Sequence, residues 1–185
     1  MELRFGGSCP WTLQALLLGY LTMEVVLFQP EIPPNTGNVA RLCAVTQSGL
    51  HLIEPIGFDL ENRQLKRAGM DYWSMLRWNR WKDWKSLQDS MKEGRKFWFV
   101  ESEGPQRYDE VDFGKDDFLV FGRESSGLPL SLLEAHRDRW LRIPMMHPEA
   151  RSINLSNSVA LVLFEGLRQN GFGGDLGTNS HPSSP

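Results

Sequence analysis

Residues 24–55 read EVVLFQPEIPPNTGNVARLCAVTQSGLHLIEP, and this stretch decides the fold class. Its first six residues, EVVLFQ, are β-branched, aromatic and apolar, and Pro30 ends them, which is the pattern of a buried strand. PEIPPNTGN is expected to be a loop, because three prolines and a glycine oppose a helix before Asn35. Asn35 or Thr36 can then cap a helix through VARLCAVTQ that stops at Gly49. LHLIEP reads as the second strand. Strand, helix and strand in that order make a βαβ unit, which implies a parallel sheet.

Working outward, residues 60–69 form a basic, helix-prone stretch, followed by a tryptophan-rich one, DYWSMLRWNRWKDWKSLQDSMKEG. FWFV at 97–100 and FLVF at 118–121 are further strands, the latter running into GRESSGLP. A short helix is expected at 130–135, a fifth strand at 141–143 and a helix at 156–169. The last carries Val159, Val162, Leu163 and Leu167 on one stripe. The chain therefore reads as one α/β domain over residues 23–170. Residues 1–22 are a poorly defined extension, and glycine, serine, proline and asparagine make 171–185 an expected disordered tail.

At 185 residues, 41% hydrophobic and 23% charged, the chain can bury an ordinary core, and its net charge of −3 excludes a wholly basic nucleic-acid binder. Any RNA contact must be local. Residues 63–96 hold ten basic side chains against four acidic ones, a balance of +6 that can supply phosphate contacts. Taken alone, such a run is a solvated helical face. Two cysteines, Cys9 and Cys43, give no disulfide framework or thiolate metal site, so a reducing, cytoplasmic compartment fits. The apolar run LQALLLGYL, 13–21, is too short for a membrane span, and no small-residue cleavage site follows it. A tail, or a start codon placed ahead of Met23, is the expected reading.

Three loops are more specific than connections need to be. In PEIPPNTGNVARLC, proline rigidity ahead of a helix fixes where Asn35, Asn38 and Arg41 point; Arg41, six positions on, is expected near the same edge as Asn35. In FGRESSGLP, Gly122 and Gly127 let a ligand approach the main chain at a strand's carboxyl edge, with Glu124 as a helix-capping or orienting acid. In RIPMMHPEARSINLSN, Ser152, Asn154, Ser156 and Asn157 crowd the start of an apolar helix, where one cap would suffice. His51, His136 and His147 show no ligand spacing, and no metal is expected. Of Trp73, Trp78, Trp81 and Trp84, three lie at helical spacing and are expected to pack on the core rather than stack on RNA bases.

PEIPPNTGN, RLC, LHLIEP, KRAGMDYW, FGRESSGLP and RIPM…RSINLSN, in that order over residues 23–169, resemble the SPOUT RNA methyltransferases. More narrowly, they resemble the TrmL-like tRNA (cytidine/uridine-34) 2′-O-methyltransferases. The resemblance implies a mostly parallel sheet flanked by helices, a C-terminal trefoil knot and a homodimer. It also implies S-adenosyl-L-methionine as cofactor and the anticodon stem-loop of tRNA as substrate. By motif, Val100, Gly122, Ile143 and Ser152 would line the cofactor pocket. Asn35, Arg41, Glu124 and Asn154 would form the catalytic set, with Arg41 contributed across the dimer interface. A sulfonium carries its own leaving group, so the remaining difficulty is the ribose 2′-hydroxyl, which Arg41 would position or deprotonate. The alternatives are a SPOUT enzyme for another tRNA or rRNA position, a non-catalytic RNA binder and a Rossmann-type methyltransferase. The last is opposed by PEIPPN, which stands where a glycine-rich turn would be.

Overall fold

All five residues of Glu24–Phe28 are buried, as expected of a strand covered on both faces. Residues 22–60, 72–91 and 94–175 are described by the computed structural model. In chain order the elements are β1 (Glu24–Phe28), α1 (Pro33–Val45), β2 (Gly49–Ile53), β3 (Trp78–Trp81), α2 (Trp84–Asp89) and β4 (Phe97–Val100). They continue with β5 (Gln106–Arg107), β6 (Phe118–Phe121), α3 (Leu130–Ala135), β7 (Trp140–Arg142) and α4 (Leu155–Gln169). The strands form one sheet of order β3-β2-β1-β6-β4-β7-β5, and every pair is parallel.

Alternation along β1 divides the core. Val25 and Leu27 face α1 and α4, meeting Val39, Cys43, Val159, Val162 and Leu163. Val26 and Phe28 face the opposite layer with Leu87 of α2 and Leu133 of α3. This period of two on a doubly covered sheet gives three layers. The stripe on α4 is therefore core, with Leu167 packed at its margin.

Several sequence expectations need correction. The proline loop does not hold off the helix until Asn35: α1 begins at Pro33, because proline is tolerated in a first turn that has no partner for its missing N–H. Its N-cap is Ile32, which makes no side-chain capping bond, so neither Asn35 nor Thr36 caps it. The helix closes at Thr46, whose hydroxyl donates to the Leu42 carbonyl, and Gly49 already belongs to β2. Trp78 and Trp81 lie on a strand, not a helix. Three positions on a strand point to opposite faces, and the two indoles pack on the two different core layers. Trp84 does begin a helix and meets Phe97 edge-on. The packing of these rings was legible; their secondary structure was not. The strand expected at 141–143 runs from Trp140 to Arg142, and β3 and β5 were not anticipated. Beyond Asn170 the chain makes turns up to Asp175, with Phe172 N donating to the Leu167 carbonyl. The expected extension at 1–21, the basic helix within 61–71 and the tail from 176 lie outside the described residues.

The chain leaves β1 toward β2 and β3 on one side and toward β6 and β4 on the other, so the sheet's direction of growth reverses between β1 and β6. In open parallel sheets the crevice at the carboxyl ends of two such strands is where ligands bind.

Candidate active site

The loops leaving β1 and β6 meet across that crevice. Glu124 accepts from Glu31 N at 2.9 Å, Ile32 N at 3.3 Å and Asn35 Nδ2 at 3.1 Å. It thereby supplies, from about ninety residues away in sequence, the acceptor that the N-terminus of α1 lacks locally. In return, Glu31 accepts from the backbone N and the Oγ of Ser125, each at 2.9 Å, and these bonds hold its carboxyl below the usual range. Arg123 adds a third link by donating to the side-chain oxygen of Gln29.

Donor and acceptor chemistry fixes the rest. A carboxylate only accepts, so buried Asn35 presents its NH₂ to Glu124 and keeps Oδ1 free. Asn154 Nδ2 donates to that oxygen at 3.1 Å. Asn154 Oδ1 is then left for the N-terminus of α4, accepting from Ser156 N, Ser156 Oγ and Asn157 N. One polar relay, Glu124–Asn35–Asn154, joins the loops after β6, β1 and β7. The crowd of polar residues before α4 divides accordingly: Asn154 is both cap and relay, and Ser156 serves it.

Arg41 is not part of this relay. Six residues advance a helix by about 600°, which leaves Arg41 about 120° round from Asn35 rather than on the same edge. It is exposed, with its guanidinium 4.9 Å from the centre of the Tyr72 ring.

Val100, Gly122 and Ile143 stand at or just beyond the carboxyl ends of three adjacent strands, β4, β6 and β7. Gly122 and Gly127 close a tight turn, with Arg123 N donating to the Gly127 carbonyl at 3.2 Å and Gly127 N returning to Arg123 at 2.9 Å. A Cβ on Gly122 would collide with the backbone of Gly127 and Leu128, and Gly127 has φ +67°. Both positions therefore demand glycine. Ser152 is exposed in the loop before α4, and among the described residues no hydrogen bond joins it to the three strand ends.

Sequence reasoning missed Glu31, an acid in the loop at a strand's carboxyl end, which is the signal that could have found it. The basic run is partly engaged within the fold. Of its described members, Arg77 and Arg95 turn toward buried Glu24, at 2.7 and 3.6 Å, and Arg80 and Lys85 pair with Glu54 and Asp89. His51 is buried between Glu24 and Trp81, and His136 stacks on Phe99.

Residues 22–164 match the SpoU rRNA Methylase family. The chain belongs to that family. Among its relatives, the tRNA (cytidine(34)-2′-O)-methyltransferase of Saccharophagus degradans is 45% identical over 152 residues, covering 82% of this chain and 97% of the relative. A solved structure described as giving insights into the 2-OH methylation of C/U34 on tRNA has a TM-score of 0.78 and 38% identity, covering 86% of this chain and 97% of its own. The SpoU methyltransferase AviRb of Streptomyces viridochromogenes, solved with AdoMet, shares the fold at a TM-score of 0.74 and 20% identity, covering 83% and 62%.

Proposed function

We propose that this chain transfers a methyl group from S-adenosyl-L-methionine to the ribose 2′-hydroxyl of the wobble pyrimidine, position 34, of tRNA. The observation that carries the reading is the Glu124–Asn35–Asn154 relay at the switch point, beside the glycine turn, in a chain of this family. The activity named for the Saccharophagus relative and the substrate named for the solved C/U34 structure support its particulars.

The residues fit an adenosyl cofactor. Gly122 and Gly127 leave the main chain bare at the carboxyl edge, and Val100, Ile143 and Ser152 would complete the pocket. Bound there, the cofactor supplies a methyl on a sulfonium whose departure leaves a neutral thioether, so the chain's own residues must prepare the acceptor. Glu124 and Asn35 hold the α1 N-terminus against the glycine turn. Asn154 sets the α4 N-terminus beside them, so that the acceptor ribose meets a preorganised wall. Arg41 orients the 2′-hydroxyl, with its proton taken by a neighbouring RNA phosphate.

The reading includes a cytoplasmic homodimer that brings Arg41 of one subunit to the other's relay. Apolar side chains left exposed on the α1–α4 layer, Val45, Leu161, Phe164 and Phe172, support a second copy there. It also includes a trefoil knot in the C-terminal part of the 23–170 domain. In support, β7 lies between β4 and β5, and Arg142 donates to the Gly104 and Pro105 carbonyls of the segment it passes.

The test is nucleoside mass spectrometry of unmodified tRNA treated with the purified protein and the methyl donor. A 2′-O-methylated C or U at position 34 is expected. Methylation confined to rRNA, or none with any RNA, would overturn the reading.

A further inference from the structure

Glu101 sits one residue beyond β4, between the loops that carry Gly122 and Ile143. Its backbone N donates to the Leu141 carbonyl at 2.9 Å, tying it to β7 just before Ile143. Its side chain turns the other way, and Oε1 accepts from Leu128 N, at the end of the glycine turn, at 2.6 Å. The carboxylate packs against Gly127 so closely that a Cβ at that position would run into it. One residue thus links the ends of β4, β7 and β6. Burial pushes its carboxyl above the usual range despite bonds from the Leu128 and Ser102 amides, with Glu103 adding to the rise. Burying a carboxylate is costly unless hydrogen bonds satisfy it, and here the Leu128 amide is one of the donors that do.

We infer that Glu101 is a positioning residue: its carboxylate pins the Gly122–Leu128 turn against β4 and β7, in the conformation that receives the adenosyl cofactor. This rests on the cofactor pocket proposed above. The pinning acts through an acceptor at a set reach. A carboxamide of equal length can replace it, whereas a carboxylate one methylene shorter cannot span to Leu128 N. Simple local charge would rank those two substitutions the other way.

The test uses the full chain with Glu101→Ala, Glu101→Gln and Glu101→Asp. S-adenosylhomocysteine affinity is read by calorimetry, tRNA affinity by filter binding, and backbone amide exchange over residues 123–128 in the free protein. Glu101→Ala and Glu101→Asp should bind S-adenosylhomocysteine about tenfold more weakly, and Glu101→Gln within about twofold of the parent. Affinity for tRNA should hold, and the Leu128 amide should exchange faster in the Ala and Asp variants only. The inference is overturned if Glu101→Ala binds like the parent, or if Asp rescues and Gln does not. Should the unaltered protein ignore S-adenosylhomocysteine, the cofactor reading falls. Exchange at Leu128 then decides the brace alone: faster in Ala and Asp upholds it, unchanged exchange removes it.

Discussion

Asn154 and Asn35 stand 119 residues apart in the chain, yet Asn154 Nδ2 donates to Asn35 Oδ1 at 3.1 Å. The same Asn154 caps α4 through its other atom, Oδ1. Two substitutions separate these duties. Asn154→Ala removes both, at a cost of about 1 kcal/mol for the cap, seen as a melting temperature lower by roughly 2–4 °C. Asn154→Asp keeps an acceptor for the cap but has no hydrogen to give Asn35. It should melt close to the parent while methyl transfer falls by about tenfold or more. Full activity in Asn154→Asp would remove the relay from the mechanism.

Glu124 receives three N–H donors, two from the backbone and one from Asn35. Glu124→Gln turns one acceptor oxygen into a donor facing donors. A loss of about 1–2 kcal/mol is expected, read as a lower urea midpoint with an unchanged slope, together with reduced methyl transfer. A midpoint equal to the parent's would show that water serves those donors as well as the carboxylate does.

Legibility followed burial and locality. β1 and β2 were readable because every residue in them is buried, leaving uninterrupted apolar runs. β3 was not, because at the sheet's edge only Trp78 and Trp81 of WNRW are covered, and residues three apart fit a helix as well. In the site, Gly122 and Asn154 announced themselves through local backbone demands. The bond from Asn35 to Glu124 could not, since only the order of strands in the sheet makes those loops neighbours. The placement of Arg41 failed on angle rather than distance along the helix.

Gly122 is the most sterically exacting position of the site. Any Cβ there meets the backbone of Gly127 and Leu128, which cannot yield as a flexible side chain would. Gly122→Ala should open the turn, at a cost of roughly 1–3 kcal/mol, and abolish S-adenosylhomocysteine binding in calorimetry. Native affinity in that variant would mean the turn is not part of the pocket.

At the other end of the sheet, burial favours the protonated form of Glu24. The hydrogen bond from His51, the charge of Arg77 and the remaining contacts with both outweigh it and hold the carboxyl below its ordinary 4.5. A depressed carboxyl stabilises the fold above the ordinary value, and that stability fades as pH falls through the lowered one. Glu24→Gln should therefore lower stability at neutral pH by roughly 2 kcal/mol, read from urea unfolding, and the gap should narrow below about pH 4.5. A gap constant with pH would assign the effect to packing instead.

Arg41 tests whether the site is completed by a second copy. It is exposed, and its contact with Tyr72 is of a kind worth only about 0.5–1 kcal/mol, so Arg41→Ala should fold and bind S-adenosylhomocysteine normally. Methyl transfer should nevertheless fall about a hundredfold, and a native rate would remove Arg41 from the reaction. Geometry places the guanidinium off the relay of its own subunit, so the sharper experiment mixes Arg41→Ala with Glu124→Ala and lets dimers exchange. If each Arg41 serves the partner's relay, a mixed dimer has one site with both residues intact and one with neither. A random equal mixture then recovers about a quarter of parental activity, as twofold symmetry requires. If Arg41 serves its own subunit, every site in every dimer carries one defect and nothing is recovered. Recovery that appears only after subunit exchange would place the arginine across the interface, and its absence under proven exchange would return it to its own chain.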